Sequence, residues 1–413
     1  MTNRNQQFRI AIRKFDPFES AIEKAWDAFS KQESLNLELF AESLDLPPLE
    51  EALFEREGLK NGDWDVAFIS TDWLAMAHEQ NALLDLAPFI QKNPPDDYPT
   101  GWTDSMLRLQ KFDDVVLGLP YHDGPEVLIY RKDLFEDPRE QASYLAQFGT
   151  SLSLPSTWKD FHQIARFFTR PDQNLYGTVF AAYPDGHNTV YDFFLQLWTH
   201  GGNLFDADGN VQIVTSPAQR ALEFYRTMLN DTSAIHPDAR DMDSVKSGLA
   251  FANGEIAMMI NWFGFAAMCE TMPESTVKGN VMIGQIPHDV DSPTASLSAY
   301  WTLSIGSGSP HQELAYRFLR FCANASMDKM LTLEGGIGCR LSTWEDTEVN
   351  SVIPFYNQLE NLHINARELP RVANWTSVAS VIDELVLNTI NTDNRIEELL
   401  QHAQSKLESL LET

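Results

Sequence analysis

Four short stretches set a large aromatic residue beside a small polar group: Asp72–Trp73, Tyr121–His122–Asp123, Asn261–Trp262 and Tyr300–Trp301. Each lies at the end of a run that reads as a β-strand. Flat aromatic faces suit the C–H faces of sugar rings. Asp, Asn and Arg side chains satisfy the hydroxyls, which are costly to bury unpaired. Any one Trp is a core residue by default, since the indole is highly buried on average. Four such pairs at strand ends point jointly to a binding surface. The stretch GEIAMMINW, residues 254–262, shows the pattern: Met258 and Met259 read as core, and the run then stops on an amide and an indole.

Signatures of catalysis are missing from the chain. There is no GxxxxGK[ST], HExxH or GxSxG. The G-x-G of GSGSP (306–310) lacks the strand and helix that would complete a dinucleotide fingerprint. GGIG (335–338) reads as a helix stop and turn. The ten histidines show no metal-ligand spacing. No catalytic residue, metal or cofactor is expected.

The elements that must position these residues alternate. FRIAIRKF carries Phe8, Ile10 and Ile12 on one face, as a strand does. In the following segment Ile22, Trp26 and Phe29 fall on one side of a helix. LNLELFA and WDVAFIS read as further strands, and Thr71 or Asp72 as a helix cap. VVLGLPY and VLIYRKDLF are strand-like runs joined by HDGPE (122–126), a strong turn signal. A second β/α series follows, with LYGTVFA as a strand and TVYDFFLQLWTHGG as a helix. Ser216–Pro217 and Ser309–Pro310 open two more helices, and the tail from 374 to 411 reads as two helices. Alternation of this kind predicts α/β architecture with mostly parallel sheets flanked by helices.

At 413 residues the chain exceeds a single core, so two lobes are expected. The net charge of −29 opposes contact with phosphate backbones and anionic lipid, and no nucleic-acid partner is expected. Of the three cysteines, at least one stays free in a monomer; Cys322 and Cys339 are a possible pair. The apolar window Ile256–Cys269 is shorter than the ~18 residues of a membrane span. The N-terminal residues run straight into a strand, with no apolar h-region or lipobox-like Cys. A cytoplasmic chain, or one that has lost a targeting segment, is the expectation from that feature.

Several segments in order resemble family 1 of the extracellular solute-binding proteins, the sugar-type receptors of ABC importers, which include maltose-binding protein. GEIAMMINW is similar to the family's G-E/K-A-A-M segment ending on W or G. WDVAFISTDWLAMAHEQNALLDLAPFI, GLPYHDGPEVLIYRKDLFED, PSTWKDF, GGNLFDADGN and SPHQELAYRFLRF also have counterparts, so that the resemblance covers roughly residues 8–390. It implies a two-lobed periplasmic-binding-protein fold with three interlobe crossings, near Gly124–Val127, Ile286–His288 and Asn324–Met327. The N-terminal lobe would comprise 1–125 and 287–325, and the C-terminal lobe 126–286 and 326–413. It also implies capture of a mono- or oligosaccharide in an interlobe cleft by hinge closure, with delivery to a membrane permease. A monomer, periplasmic or anchored at the cell surface, is expected. Thr71, Asp72, His122, Asp123, Asn261 and Arg340 are the expected hydrogen-bonding groups. Trp73, Tyr191, Trp262, Trp301 and Trp375 are the expected stacking walls, Tyr191 because the resembling helix carries a sugar-contacting Tyr. The bland alternative for Arg340 is a surface ion pair. The alternative functions are a carbohydrate-active hydrolase or lyase, and a receptor for another small solute such as a polyol.

Overall fold

The computed structural model describes residues 6–411. The chain forms two compact units from six alternating segments. The first unit holds the chain up to Gly124, Ala299–His363 and Pro370–Trp375; the second holds Pro125–Ser298, Ile364–Leu369 and the chain from Thr376 onward. The first change of unit falls at Gly124, whose φ of +134° only glycine adopts readily. The later boundaries differ from the expected ones. Residues 287–298 pack with the second unit and 326–363 with the first. The chain therefore changes unit five times rather than three. The helices Ala325–Leu333 and Leu341–Trp344 are tied to each other by the side chain of Asp328, which accepts the N–H groups of Cys339 and Arg340.

The first unit is built on a five-stranded sheet in the order Glu38–Leu44, Gln7–Arg13, Val66–Ser70, Trp301–Ile305, Leu119–His122. The first three strands are parallel, and Trp301–Ile305 runs antiparallel to both its neighbours. Phe8, Ile10 and Ile12 are buried as their alternation requires. Helix Asp16–Glu33 covers them with Phe18, Ile22, Trp26 and Phe29. Phe8 stacks on Trp26 at 4.7 Å, and Phe318 meets both ring edges.

The second unit has a three-stranded sheet with Glu126–Arg131 between Met258–Trp262 and Val281–Gly284. Both pairings are antiparallel. Parallel pairing among the described residues here is limited to the two-residue pair of Ser296–Leu297 with Ala366–Arg367 and to single bridges, among them Tyr176↔Ile256 and Thr178↔Ile235. LYGTVFA therefore contributes bridges rather than a full strand. Gly177 explains the local approach: a Cβ there would stand 1.8 Å from the Ala165 carbonyl oxygen. Met258 and Met259 are fully buried.

Helix starts follow the expected chemistry with small shifts. Helix Ser216–Asn230 is capped by Thr215, whose hydroxyl accepts the Ala218 N–H, rather than by Ser216. Helix Gln312–Cys322 starts two residues after Pro310. Cys269, Cys322 and Cys339 are all free thiols and buried, so Cys322 and Cys339 do not pair. Among the described residues no helix is long and apolar enough to cross a membrane.

Candidate functional site

In the first unit, strand register gathers most of the expected residues at one edge of the sheet. Trp301 opens its strand opposite Ser70 on one side and His122 on the other. The carboxyl ends of Val66–Ser70 and Leu119–His122 thus flank one half-buried indole. Thr71–Trp73 leaves the first strand as a single 3-10 turn. Thr71 is fastened to the neighbouring strand, its hydroxyl accepting the Tyr300 N–H and its own N–H donating to the Tyr300 carbonyl. Trp73, 1% exposed, braces Trp301 edge-to-face at 5.9 Å.

Asp72 was expected to cap a helix. Neither the 3-10 turn nor helix Leu74–Glu79 has a side-chain cap. The buried Asp72 carboxylate instead accepts the Trp375 indole N–H at 3.2 Å. Trp73 and Trp375 were expected as stacking walls, but both are buried. They support Trp301 and Asp72 rather than presenting an open face.

His122 and Asp123 are held by the Ile337 backbone. The His122 Nδ1 accepts the Ile337 N–H at 2.9 Å, and the Asp123 N–H donates to the Ile337 carbonyl. Burial lowers the His122 pKa to about 4, with Asp123 opposing, so the ring is neutral and its proton sits on Nε2. Asp123 is buried, and its Oδ2 lies 2.7 Å from His363 Nε2. Burial disfavours the His363 cation, but the Asp123 charge and hydrogen bond outweigh it and raise its pKa. Trp344 stacks flat on the His363 ring at 5.2 Å.

Arg340 lies apart from this group. It is 1% exposed, and it does form an ion pair, with the exposed Asp97, but from a buried position. Its guanidinium donates to the Ala323 and Asp96 carbonyls and to the Asp97 carboxylate, and lies 4.5 Å over the Trp102 ring. Those contacts make Arg340 a structural post within the first unit.

In the second unit, Trp262 ends its strand directly opposite Glu126, and its half-buried ring meets Tyr191 edge-to-face at 5.5 Å. Tyr191 stands on the first turn of helix Asn188–Thr199, its hydroxyl 2.8 Å from His187 Nδ1. Asn261 was expected to face the ligand beside Trp262. Strand alternation sends it to the opposite face. There its amide donates to the Ser244 carbonyl and the Ser247 hydroxyl on helix Ser244–Ala252, while its oxygen accepts the Trp262 N–H. Asn261 thus positions Trp262.

Three groups beside the expected residues were not anticipated. Glu126 is 6% exposed, and its Oε2 has no hydrogen-bond partner. Burial, and then the charge of Asp192, push its pKa well up. Asp192 follows Tyr191 on the buried helix and accepts the Tyr225 hydroxyl at 2.6 Å. Burial raises its pKa to about 7 against that hydrogen bond. His363 is the third, through its bond to Asp123. An acid alone in the apolar run TVYDFF was a usable signal for Asp192; nothing local marked His363.

The family model for bacterial extracellular solute-binding proteins matches residues 53–329, and the chain belongs to that family. A relative in Escherichia coli strain K12 is YcjN, by name a periplasmic-binding protein of an ABC transporter. It is 24% identical over 334 residues, covering 75% of this chain and 71% of that protein. Among solved structures, the maltose-bound MalE3 of T. maritima superposes with a TM-score of 0.85 at 21% identity, over 98% of this chain and 100% of that one. An ABC transporter solute-binding protein of Agrobacterium radiobacter K84 in complex with ribitol gives 0.86 at 20% identity, over 98% of each. The fold is that of the two-lobed periplasmic binding proteins.

Proposed function

We propose that this solute-binding protein captures a carbohydrate, a sugar or polyol, and delivers it to the membrane permease of an ABC importer. The observation that carries the reading is a repeated arrangement. Each unit presents one half-buried indole, braced edge-to-face by a second aromatic ring and placed beside a buried carboxyl group: Trp301 on Trp73 with Asp72, and Trp262 on Tyr191 with Glu126. Such rings take the C–H faces of a sugar and the carboxyls take its hydroxyls. Maltose and ribitol in the structural neighbours support the same class. The remaining contacts proposed are Thr71, His122 and Asp123.

The protein performs no covalent chemistry in this reading, acts as a monomer outside the cytoplasm, periplasmic or held at the cell surface, and has no nucleic-acid partner. The hinge closure that the family resemblance implies is tested by small-angle scattering, which should record a smaller radius of gyration at saturation. A thermal-shift screen of sugars and polyols, maltose and ribitol included, tests the class. A ligand at 100 times its Kd adds about 2.7 kcal/mol. Absence of any shift across the panel would sink the reading, and product formation from an oligosaccharide would favour a hydrolase or lyase.

A further inference from the structure

The second unit buries two acids without a cation. Glu126 and Asp192 are 6% and 7% exposed, and the Asp192 charge acts on Glu126. Among the described residues no Lys, Arg or His forms an ion pair or hydrogen bond with either carboxyl. The basic group that acts on Tyr225, Arg240, is committed elsewhere, bound by Asn230 and Asn391. One helical turn beyond Asp192, Gln196 is 1% exposed, and neither its amide nitrogen nor its amide oxygen has a partner. Burying a carboxyl and an amide with lone pairs and N–H groups unused is costly unless something occupies them. The cluster adjoins the braced indole, since Glu126 is paired directly across from Trp262.

We propose that Glu126 and Asp192, with the Trp262 face beside them, form a specificity subsite for a protonated amine carried on the solute, so that the protein prefers an amino sugar to the parent sugar. The proposal rests on the carbohydrate reading and narrows it. An ammonium group supplies the missing positive charge, donates N–H to the Glu126 Oε2 and to Asp192, and is attracted to the indole face. A hydroxyl in the same place would supply neither charge nor cation–π attraction, and a uronate would add a third acid. Burial keeps protons on these carboxyls, on Asp192 up to about 7. Binding of an ammonium then displaces a proton to solvent. Tyr225 from helix Ser216–Asn230, which donates to Asp192, and Arg240, whose charge acts on Tyr225, are the other titratable groups that act there.

The test is calorimetry at pH 7 with three matched pairs, glucosamine and glucose, galactosamine and galactose, mannosamine and mannose, together with glucuronate and galacturonate. Each titration is repeated in phosphate and in Tris, whose ionisation enthalpies differ. At least one amine-bearing sugar is expected to bind tenfold or more tighter than its parent, with a buffer-dependent enthalpy that reports proton release, and the uronates most weakly. In Glu126→Gln and in Asp192→Asn the ratio within the pair should fall to about twofold. The wild-type ratios stand alone if either variant fails to fold. Parent sugars that bind as well as their amine forms would overturn the subsite and leave the carbohydrate reading intact, as would a preference that survives both substitutions. A protein that binds none of the eight sugars, and none of the wider sugar and polyol panel, would overturn both.

Discussion

The aromatic groups of the two units are built alike, yet their acids are treated differently. In the first unit Asp72 accepts the Trp375 indole N–H, and Asp123 meets the imidazole of His363 through Oδ2, although its Oδ1 has no hydrogen-bond partner. In the second, among the described residues, no basic side chain pairs with Glu126 or Asp192: the Glu126 Oε2 has no hydrogen-bond partner, and Asp192 accepts the Tyr225 hydroxyl. The difference is thus the presence of a basic partner, which Asp123 has and Glu126 and Asp192 lack. Acids without one are stabilised by whatever arrives, and so they discriminate among arrivals. On the subsite proposed above, the second unit is the part that chooses.

The sharpest break in this comparison is Trp73→Ala. Its ring is buried behind Trp301, so a stability loss of about 3–5 kcal/mol is expected, read by denaturant unfolding. A loss under 1 kcal/mol would remove the bracing role. Next comes Arg340→Ala, which strands the Ala323 carbonyl and empties the space over Trp102. It should cost roughly 3 kcal/mol, while folded material keeps its affinity for any solute the panel identifies. Weakened affinity at unchanged stability would return Arg340 to the site.

Trp301→Ala and Trp262→Ala should reverse that pattern. Each removes a half-buried ring from a proposed contact surface, with an affinity loss of about 2 kcal/mol, or roughly 30-fold, and a melting temperature near wild type. If only one of the two weakens binding, a single unit carries the solute.

The pH dependence of stability also separates the units, by window. Asp192 holds its proton to about 7 in the folded chain against 3.8 as a free side chain. Between those values the folded state binds more protons, so stability falls as pH rises, by at most about 1.4 kcal/mol per unit. Asp192→Asn should flatten that slope. His363 has a raised pKa, so its contribution is fully present below 6.5 and is lost as pH rises through the folded value. His363→Gln should flatten the profile only above 6.5. Urea titrations across pH 4–9 distinguish the two, and a shared window would mean that the acids are not environmentally distinct.

Much of the architecture was readable locally because periodicity and cap chemistry are local. The strand at Gln7–Arg13, the helix face of Ile22, Trp26 and Phe29, the turn at Gly124 and the two tail helices all follow from side-chain spacing and backbone restriction. The aromatic–polar pairs were equally visible, and Trp262 ends its strand as that pattern put it, whereas Trp301 opens its strand rather than ending one. Pairing direction in the second sheet, the unit to which 326–363 belongs, and the partners of each polar group were not visible, because they depend on segments far apart in the chain. Asn261 and Trp262 are neighbours whose opposite roles follow from which face of the strand meets helix Ser244–Ala252. Arg340 is structural because Asp97, Trp102 and Ala323 converge on it. Glu126 and Asp192 became significant only as a pair, since a carboxyl's solvation and charge are set by what folding brings against it, and no local pattern records that.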